Sequence, residues 1–280
     1  MLITWEVPTP EGDPAVSAID LPLTGPPPAE VPLTDPPLVR VIAQVRFPLI
    51  ASVEKRDFIA PFQEAIRKSY PVLRPEQSRG VVLGPEGVVE SRSNTSWRFH
   101  DTDGAWRVTL APDFLALETV KYTSRDDFLH RLKLVVQALE DHVDPQVVDR
   151  LGIRYVDRIP GVDLDDLPRL FRREVAGILA TPLAAHARHA ITESVFDLPD
   201  GGQVTTRWGL IPAKGTVDPA AVDPIDEASW LLDVDVFRAE TRALDTPALM
   251  SEARGFAERV YSIFRWAVTD AFLRRYGGEL

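Results

Sequence analysis

Cysteine is absent from the 280 residues, which excludes disulfide bonds, thiol nucleophiles and thiolate metal sites. No apolar run approaches the roughly 20 residues that a membrane-spanning helix needs, and the first residues lack the basic start of a signal peptide. Neither of the Gly-rich phosphate loops GxxxxGK[ST] and GxGxxG occurs, and there is no GxSxG nucleophile elbow. These absences predict a cytoplasmic protein without the common nucleotide-binding or hydrolase motifs.

Positive charge is also in short supply. The chain has 31 Lys and Arg against 42 Asp and Glu, a formal net charge of −11. Broad binding to nucleic acid depends on a surplus of Lys and Arg that neutralises phosphates, so the net charge disfavours it and leaves room only for a local basic patch. An acidic surface would instead suit a basic partner. With 45% hydrophobic residues, the chain can build a generous core in one or two domains.

Proline, in contrast, is abundant and clusters early. Nine of the 25 prolines fall within residues 1–36, which excludes a continuous helix there. We expect residues 1–36 to form a Pro-rich N-terminal arm that lies extended on the surface of its own domain. The alternative is that this arm binds a partner.

Alternating residues over 151–159 predict a strand around which the rest of the chain is organised. An earlier stretch, 39–47, has the same alternation, and a proline follows each stretch. Arg46 and Arg158 then correspond at an offset of 112 residues (158 − 46). Successive side chains of a strand point to opposite sides, so one side of the later strand carries Arg154 and Arg158. The second side carries Ile153, Tyr155, Asp157 and Ile159.

Each of these strands precedes an amphipathic helix, predicted at about residues 54–70 and 166–179. Several short strands and a longer helix follow in both cases. The sequence therefore predicts an α+β fold of two tandem βα(β)nα units, 37–149 and 150–280, whose antiparallel sheets are packed by long helices. The arrangement resembles the duplicated helix-grip or TATA-binding-protein topology, a likeness of fold that carries no function. Residues 212–227 are polar and predict a mobile loop.

Arg40, Arg46, Arg154 and Arg158 form a predicted basic stripe if the first strands of the two units lie side by side. Such a stripe would suit an anionic ligand or the acidic surface of a partner. The alternative is that these arginines neutralise Asp and Glu on neighbouring elements. The candidate ligand- or partner-binding residues are these four arginines together with Glu118, Tyr155 and Asp157.

Glu118 and Asp157 are acidic residues within otherwise apolar strands. Burial would raise their pKa values, and one of them would then suit the role of a general base. The other hypothesis is that each pairs with a nearby arginine, for which Arg46, Arg154 and Arg158 are the candidates. The sequence alone leaves both hypotheses open, so no catalytic residue is assigned.

Asp233 and Asp235 lie on one side of a predicted strand, where two carboxylates can share a divalent cation in phosphoryl or nucleotidyl transfer. The Gly-Ser turn that accompanies such a pair in nucleotidyltransferases is missing. Alternation with apolar residues is explained equally well by a solvent-facing side. The two aspartates are therefore weak metal candidates, and no cofactor is predicted.

Aromatic residues on adjacent predicted strands suggest a third kind of site. Trp97, Phe99 and Trp106 are interleaved with Arg98 and Arg107, and aromatic rings beside arginines can stack nucleic-acid bases. Packing in the hydrophobic core explains the same spacing.

Five stretches carry a family resemblance: PPLV at 36–39, QVRFP at 44–48, DFLALET at 113–119, RYVDRI at 154–159 and FRWAVT at 264–269. They resemble the signatures of a sporadically distributed, uncharacterised prokaryotic protein family, and the resemblance covers nearly everything after residue 35. It implies no catalytic residue. A patchy distribution is typical of genes on mobile elements, which include toxin–antitoxin and defence modules.

The leading functional hypothesis is a non-catalytic protein that binds another macromolecule, in an antitoxin-like or defence-system accessory role. Its expected partner is a protein, such as a basic toxin or nuclease encoded nearby. The first alternative is a metal-dependent enzyme that acts on a nucleotide or phosphate ester with Asp233, Asp235 or Glu118. The second alternative is a nucleic-acid-binding protein.

Overall fold

A computed structural model describes residues 18–84, 87–161 and 166–280; residues 1–17 of the arm lie outside the described residues. The strands in these ranges are β1 (Leu38–Arg46), β2 (Val72–Gly84), β3 (Gly87–His100), β4 (Trp106–Ala111), β5 (Phe114–Thr119), β6 (Val147–Pro160), β7 (Ala190–Asp197), β8 (Gln203–Ile211) and β9 (Ser229–Ala243). The α-helices are α1 (Arg56–Ile66), α2 (Arg125–His142), α3 (Leu167–Leu170), α4 (Arg173–Ala176), α5 (Thr246–Ala267) and α6 (Asp270–Arg275). None of the helices in these ranges combines the length and apolar character needed to cross a bilayer.

The strands form one antiparallel sheet in the order β2-β3-β4-β5-β1-β6-β9-β8-β7. The two stretches predicted as strands from their alternation, 39–47 and 151–159, fall largely or wholly within β1 and β6. These strands pair with each other at the centre of the sheet, with Val41 opposite Tyr155 and Ala43 opposite Ile153. A mixed α and β fold with a large antiparallel sheet is therefore confirmed.

The two sides of the sheet differ in what covers them. On the helix face, odd-numbered β1 residues such as Val41 and Val45 pack beneath the helices in the main hydrophobic core. There α2 contacts β5, and α5 contacts both β6 and β9. The opposite side, which we call the open face, carries the even-numbered residues of β1 and β6. All the arginines of the predicted stripe belong to the open face, because alternate residues of paired strands stay on one side.

Loop 212–227 lies on the open face and is packed against it. Ala221 and Val222 of this loop are buried, and they form a second, smaller core with Val156, Ile211 and Leu231. The prediction that residues 212–227 form a loop is confirmed, and its mobility stays a prediction. The burial of this loop was not predicted, because its composition is mostly polar and only two of its apolar residues, Ala221 and Val222, cover the middle of the sheet.

The prediction of one helix over 166–179 is wrong. Two short helices, α3 and α4, are followed by 3₁₀ turns at Gly177–Ala180 and Pro182–His186. Phe171 leaves the helical path, forms a bridge with Val268 and stacks on Trp230 with ring centroids 3.7 Å apart. Burial of this aromatic ring overrides the helical periodicity.

The described part of the Pro-rich arm, 18–36, lies along α5 and α6. Several of its backbone polar groups form hydrogen bonds with side chains of α5 and with the residue that follows α6. The hydrogen bonds are Arg259 Nη1 to the Pro22 carbonyl at 2.8 Å, Val31 N–H to Tyr261 Oη at 2.7 Å, Tyr261 Oη to the Ala29 carbonyl at 3.2 Å and Asp35 N–H to the Tyr276 carbonyl at 3.2 Å.

Candidate functional site

The four arginines of the predicted stripe share the open face, but each has an acceptor on a neighbouring element. Arg40 pairs with Asp223 at 2.7 Å and Glu118 at 3.6 Å, Arg46 pairs with Asp113 at 3.0 Å, Arg154 bonds both oxygens of Asp233 and one of Asp218 at 2.7 Å, and Arg158 bonds Ser229 at 2.8 Å and the Asp223 carbonyl. Neutralisation by neighbouring acids is the alternative that this geometry supports for Arg40, Arg46 and Arg154, whereas Arg158 is buried and, among the described residues, bonds only a hydroxyl and a carbonyl oxygen. The stripe offers little free positive charge to an anionic ligand.

Asp233 and Asp235 lie on the open face, one on each side of Val234, as the alternation predicts. Asp233 is 1% exposed and is held by Arg154, while Asp235 pairs with Arg150 at 2.7 Å. A divalent cation would have to displace these guanidinium groups. Within the described ranges no group of three or more acidic or histidine side chains could hold a metal ion. The geometry gives the metal hypothesis no support.

Glu118 pairs with arginine, as one of the two hypotheses stated. Its partners are Arg107, which is directly opposite in the β4–β5 hairpin, and Arg40. Neither was among the three arginines proposed from the sequence. The hairpin register would have identified Arg107, since residues directly opposite each other in an antiparallel pair are in contact.

Asp157 differs from Glu118 because it lies on the helix face. Its strand neighbours Arg154 and Arg158 point to the open face, so the expected arginine pairing does not occur. Asp157 is 9% exposed, and no described residue donates a hydrogen bond to its carboxylate. Burial, and secondarily the charge of Asp233, raises the pKa of Asp157 to about 7. This is the condition that the general-base hypothesis anticipated.

Asp157 lines a cavity of about 390 Å³ on the helix face. We call this space the arm cavity. Residues 30–36 of the arm cover one side, and the remaining walls come from the start of α2, the second half of α5 and strands β1, β6 and β9. The sequence did not indicate this cavity, because its walls come from five separate segments.

Aromatic rings form much of the cavity wall. Tyr122 and Tyr155 meet edge to face, with ring centroids 5.5 Å apart and hydroxyl oxygens 3.2 Å apart. Tyr261 and Phe264 of α5 contribute two further rings, 6.2 Å apart. Burial raises the pKa of Tyr155 well above its ordinary value, so its hydroxyl stays protonated. Of the four rings, only Tyr155 was a candidate from the sequence.

Charge in the arm cavity is unbalanced. Arg125 of α2 pairs with Glu30 of the arm at 2.5 Å and lies 3.7 Å from Glu258. The three charged residues of the wall are Arg125, Glu30 and Asp157. Because Glu30 and Arg125 neutralise each other, the carboxylate of Asp157 is left without a counter-charge.

The aromatic residues considered for base stacking are in the core. Trp97, Phe99 and Trp106 are all buried, and Trp97 Nε1 donates a hydrogen bond to the Val53 carbonyl at 2.7 Å. They are therefore not available to stack on bases, and core packing is the correct explanation of their spacing.

A comparison with protein-family models finds no match to this chain, and a comparison with curated proteins finds none either. Membership of the sporadically distributed prokaryotic family therefore stays a prediction from the five sequence stretches.

Proposed function

We propose that the protein acts by binding a ligand without a reaction of its own, and that the ligand site is the arm cavity. The observation that carries this proposal is the unpaired carboxylate of Asp157 in the cavity wall. Burying a charged group without a partner is unfavourable, and such groups concentrate at functional sites. A ligand that pairs with Asp157 would remove this penalty.

The dimensions and lining of the cavity agree with such a role. Pockets of roughly 300–1,000 Å³ with apolar and aromatic walls and a few polar groups are typical of small-molecule sites. Here the apolar wall comes from residues such as Val31, Val234 and Val260, and the polar groups are the tyrosine hydroxyls and Asp157.

Filling the cavity tests this proposal. The probe is 3,3-dimethylbutan-1-ol or choline, and binding is followed by saturation-transfer NMR. Ala257→Phe fills the cavity from α5, and Thr123→Trp blocks it from its exposed rim. Both variants should lose the signal, while Ala248→Phe at an exposed position of α5 should retain it. If both blocking variants fold and bind the probes like the unmodified protein, the cavity is not the ligand site.

A second candidate function is the recognition of a protein partner, in the antitoxin-like or defence role that the sequence suggested. The observation that favours it is β7, which ends the sheet and pairs on one edge only among the described strands. Val195 of β7 is 59% exposed. An extended segment of a partner can add to such an edge by main-chain hydrogen bonds.

Co-expression with the product of an adjacent gene tests this second function. Val195→Lys should break a complex seen by size-exclusion chromatography, because a lysine on an edge strand opposes strand addition. Val120→Lys, at another exposed valine away from β7, should leave the complex intact. Equal complex formation by both variants would exclude β7 as the interface.

We also propose that the sheet arose by duplication of one βα(β)nα unit, with copies at 37–149 and 150–280. The strand order supports this: the strands run outward from the centre as β1, β5, β4, β3 on one side and as β6, β9, β8, β7 on the other, with β2 as an additional strand beyond β3. A crystal structure in which α2 and α5 fail to coincide when these strands are superposed would contradict it.

A further inference from the structure

Asp157 and the rings around it define a chemical environment that favours positive charge. Its carboxylate is nine-tenths buried and has no partner, and the Glu30–Arg125 pair contributes no net charge to the cavity. A cation placed here exchanges hydration for a desolvated carboxylate, which gives a stronger interaction than the same contact in water. An anion would meet the opposite field.

The aromatic walls add to this preference. The ring face carries negative electrostatic potential and attracts cations within about 6 Å of the centroid. Tyr122 and Tyr155 are inclined at 74° to each other, so they present surfaces in two directions to one guest. The guanidinium carbon of Arg125 already lies 5.8 Å from the Tyr261 ring centroid, which shows that a cation is accommodated against the aromatic wall.

We propose that the ligand of the arm cavity is a small organic cation, an amine or quaternary ammonium with an apolar substituent. This inference rests on the proposed binding function. The cationic group would lie against Asp157 and the rings of Tyr122 and Tyr155, and the apolar substituent would extend along Val234 and Val260.

Three probes of the same shape and different charge test this inference: choline, 3,3-dimethylbutan-1-ol and 3,3-dimethylbutanoate. Each is titrated into the full chain at pH 8 and low salt by isothermal calorimetry. We expect choline to bind about tenfold or more tightly than the neutral alcohol, which corresponds to about 1.4 kcal/mol and is within the range of a partly desolvated cation–π contact. The carboxylate should bind least.

Asp157→Asn should lower the affinity for choline about tenfold or more and change the affinity for the alcohol less than twofold. Asp103→Asn, the same chemical change in an exposed hairpin turn, should change neither. If the alcohol binds as tightly as choline, or if the carboxylate binds best, the cation inference falls while the cavity remains the ligand site. If no probe binds, or if the cavity-blocking variants bind the probes as the unmodified protein does, the proposed function itself fails.

Affinity for choline should also depend on pH, because only the ionised carboxylate attracts the cation. With the pKa of Asp157 raised to about 7 by burial, affinity should fall below that pH towards the affinity of the Asp157→Asn variant and level off above it. A flat profile from pH 5.5 to 8 would overturn the proposed role of Asp157. The other titratable and charged groups near this carboxyl are Glu30 and Asp35 of the arm, Arg125, Asp233, Tyr122, Tyr155, Tyr261 and Tyr276.

Discussion

The buried carboxyl of Asp157 should make the protein less stable as the pH rises, and its replacement by asparagine should remove this effect. Its pKa is raised from 3.8 to about 7, chiefly by burial. Between these values the folded protein binds more protons than the unfolded chain, so the free energy of unfolding falls with increasing pH. A difference of about three pKa units between the folded and unfolded states lowers the free energy of unfolding by about 4 kcal/mol at pH 8 and by about 2 kcal/mol at pH 5.

Asparagine has nearly the shape of the protonated aspartic acid and never ionises. Urea unfolding at pH 5 and pH 8 should therefore show Asp157→Asn to be the more stable protein, with the larger gain at pH 8. Asp103→Asn serves as the control and should differ little at either pH. A gain that does not change with pH would show that folding leaves the pKa of Asp157 unshifted, and a loss at pH 8 would show that Asp157 is ionised and paired in the folded protein. Either result would refute the reasoning.

Three further predictions concern the scaffold. Arg154→Ala should lower the free energy of unfolding by about 3–5 kcal/mol, because it leaves the buried carboxylate of Asp233 without its bidentate partner. Arg46→Ala should lower it by less than about 1 kcal/mol, because the Arg46–Asp113 pair is half-exposed. Equal losses of the two variants in urea unfolding would contradict this prediction. Phe171→Ala should cost about 3–5 kcal/mol through the lost stack on Trp230, and a loss below about 1 kcal/mol would show that the ring contributes little. Gly209→Ala should accelerate hydrogen exchange in β7, because the added methyl carbon would lie 1.8 Å from a β7 carbonyl oxygen at a φ of +139°; unchanged exchange would show that the strand absorbs the methyl group without loss of pairing.

The parts of the fold that follow from local pattern could be predicted from the sequence. Strand alternation depends on a period of two, which places Arg154 and Arg158 on one face and Asp157 on the other without knowledge of the fold. The start of α2, which forms part of the cavity wall, was also predictable. Ser124 and Asp127 have the residue types and spacing of a helix N-cap, and in the structure the Ser124 hydroxyl oxygen accepts a hydrogen bond from the Asp127 N–H.

The arm cavity could not be predicted, because it depends on contacts between residues far apart in the chain. Glu30 meets Arg125, and Val31 bonds Tyr261 across 230 positions. A Pro-rich composition shows that the arm is not helical, but it does not show which surface the arm covers. For the same reason the periodicity around Phe171 predicted a helix where burial against Trp230 decides otherwise.

The central pairing of β1 with β6 has a consequence for how the protein is made. Val41 and Tyr155 are 114 positions apart (155 − 41), so during synthesis β1 leaves the ribosome long before its second neighbour exists. Until β6 is synthesised, β1 can form hydrogen bonds along only one of its two edges, with β5. The other edge of this largely apolar strand stays unpaired. Non-local pairing of this kind slows folding and exposes the growing chain to aggregation. Translation speed between β1 and β6 should therefore affect the yield of native protein more than translation speed after β9 does.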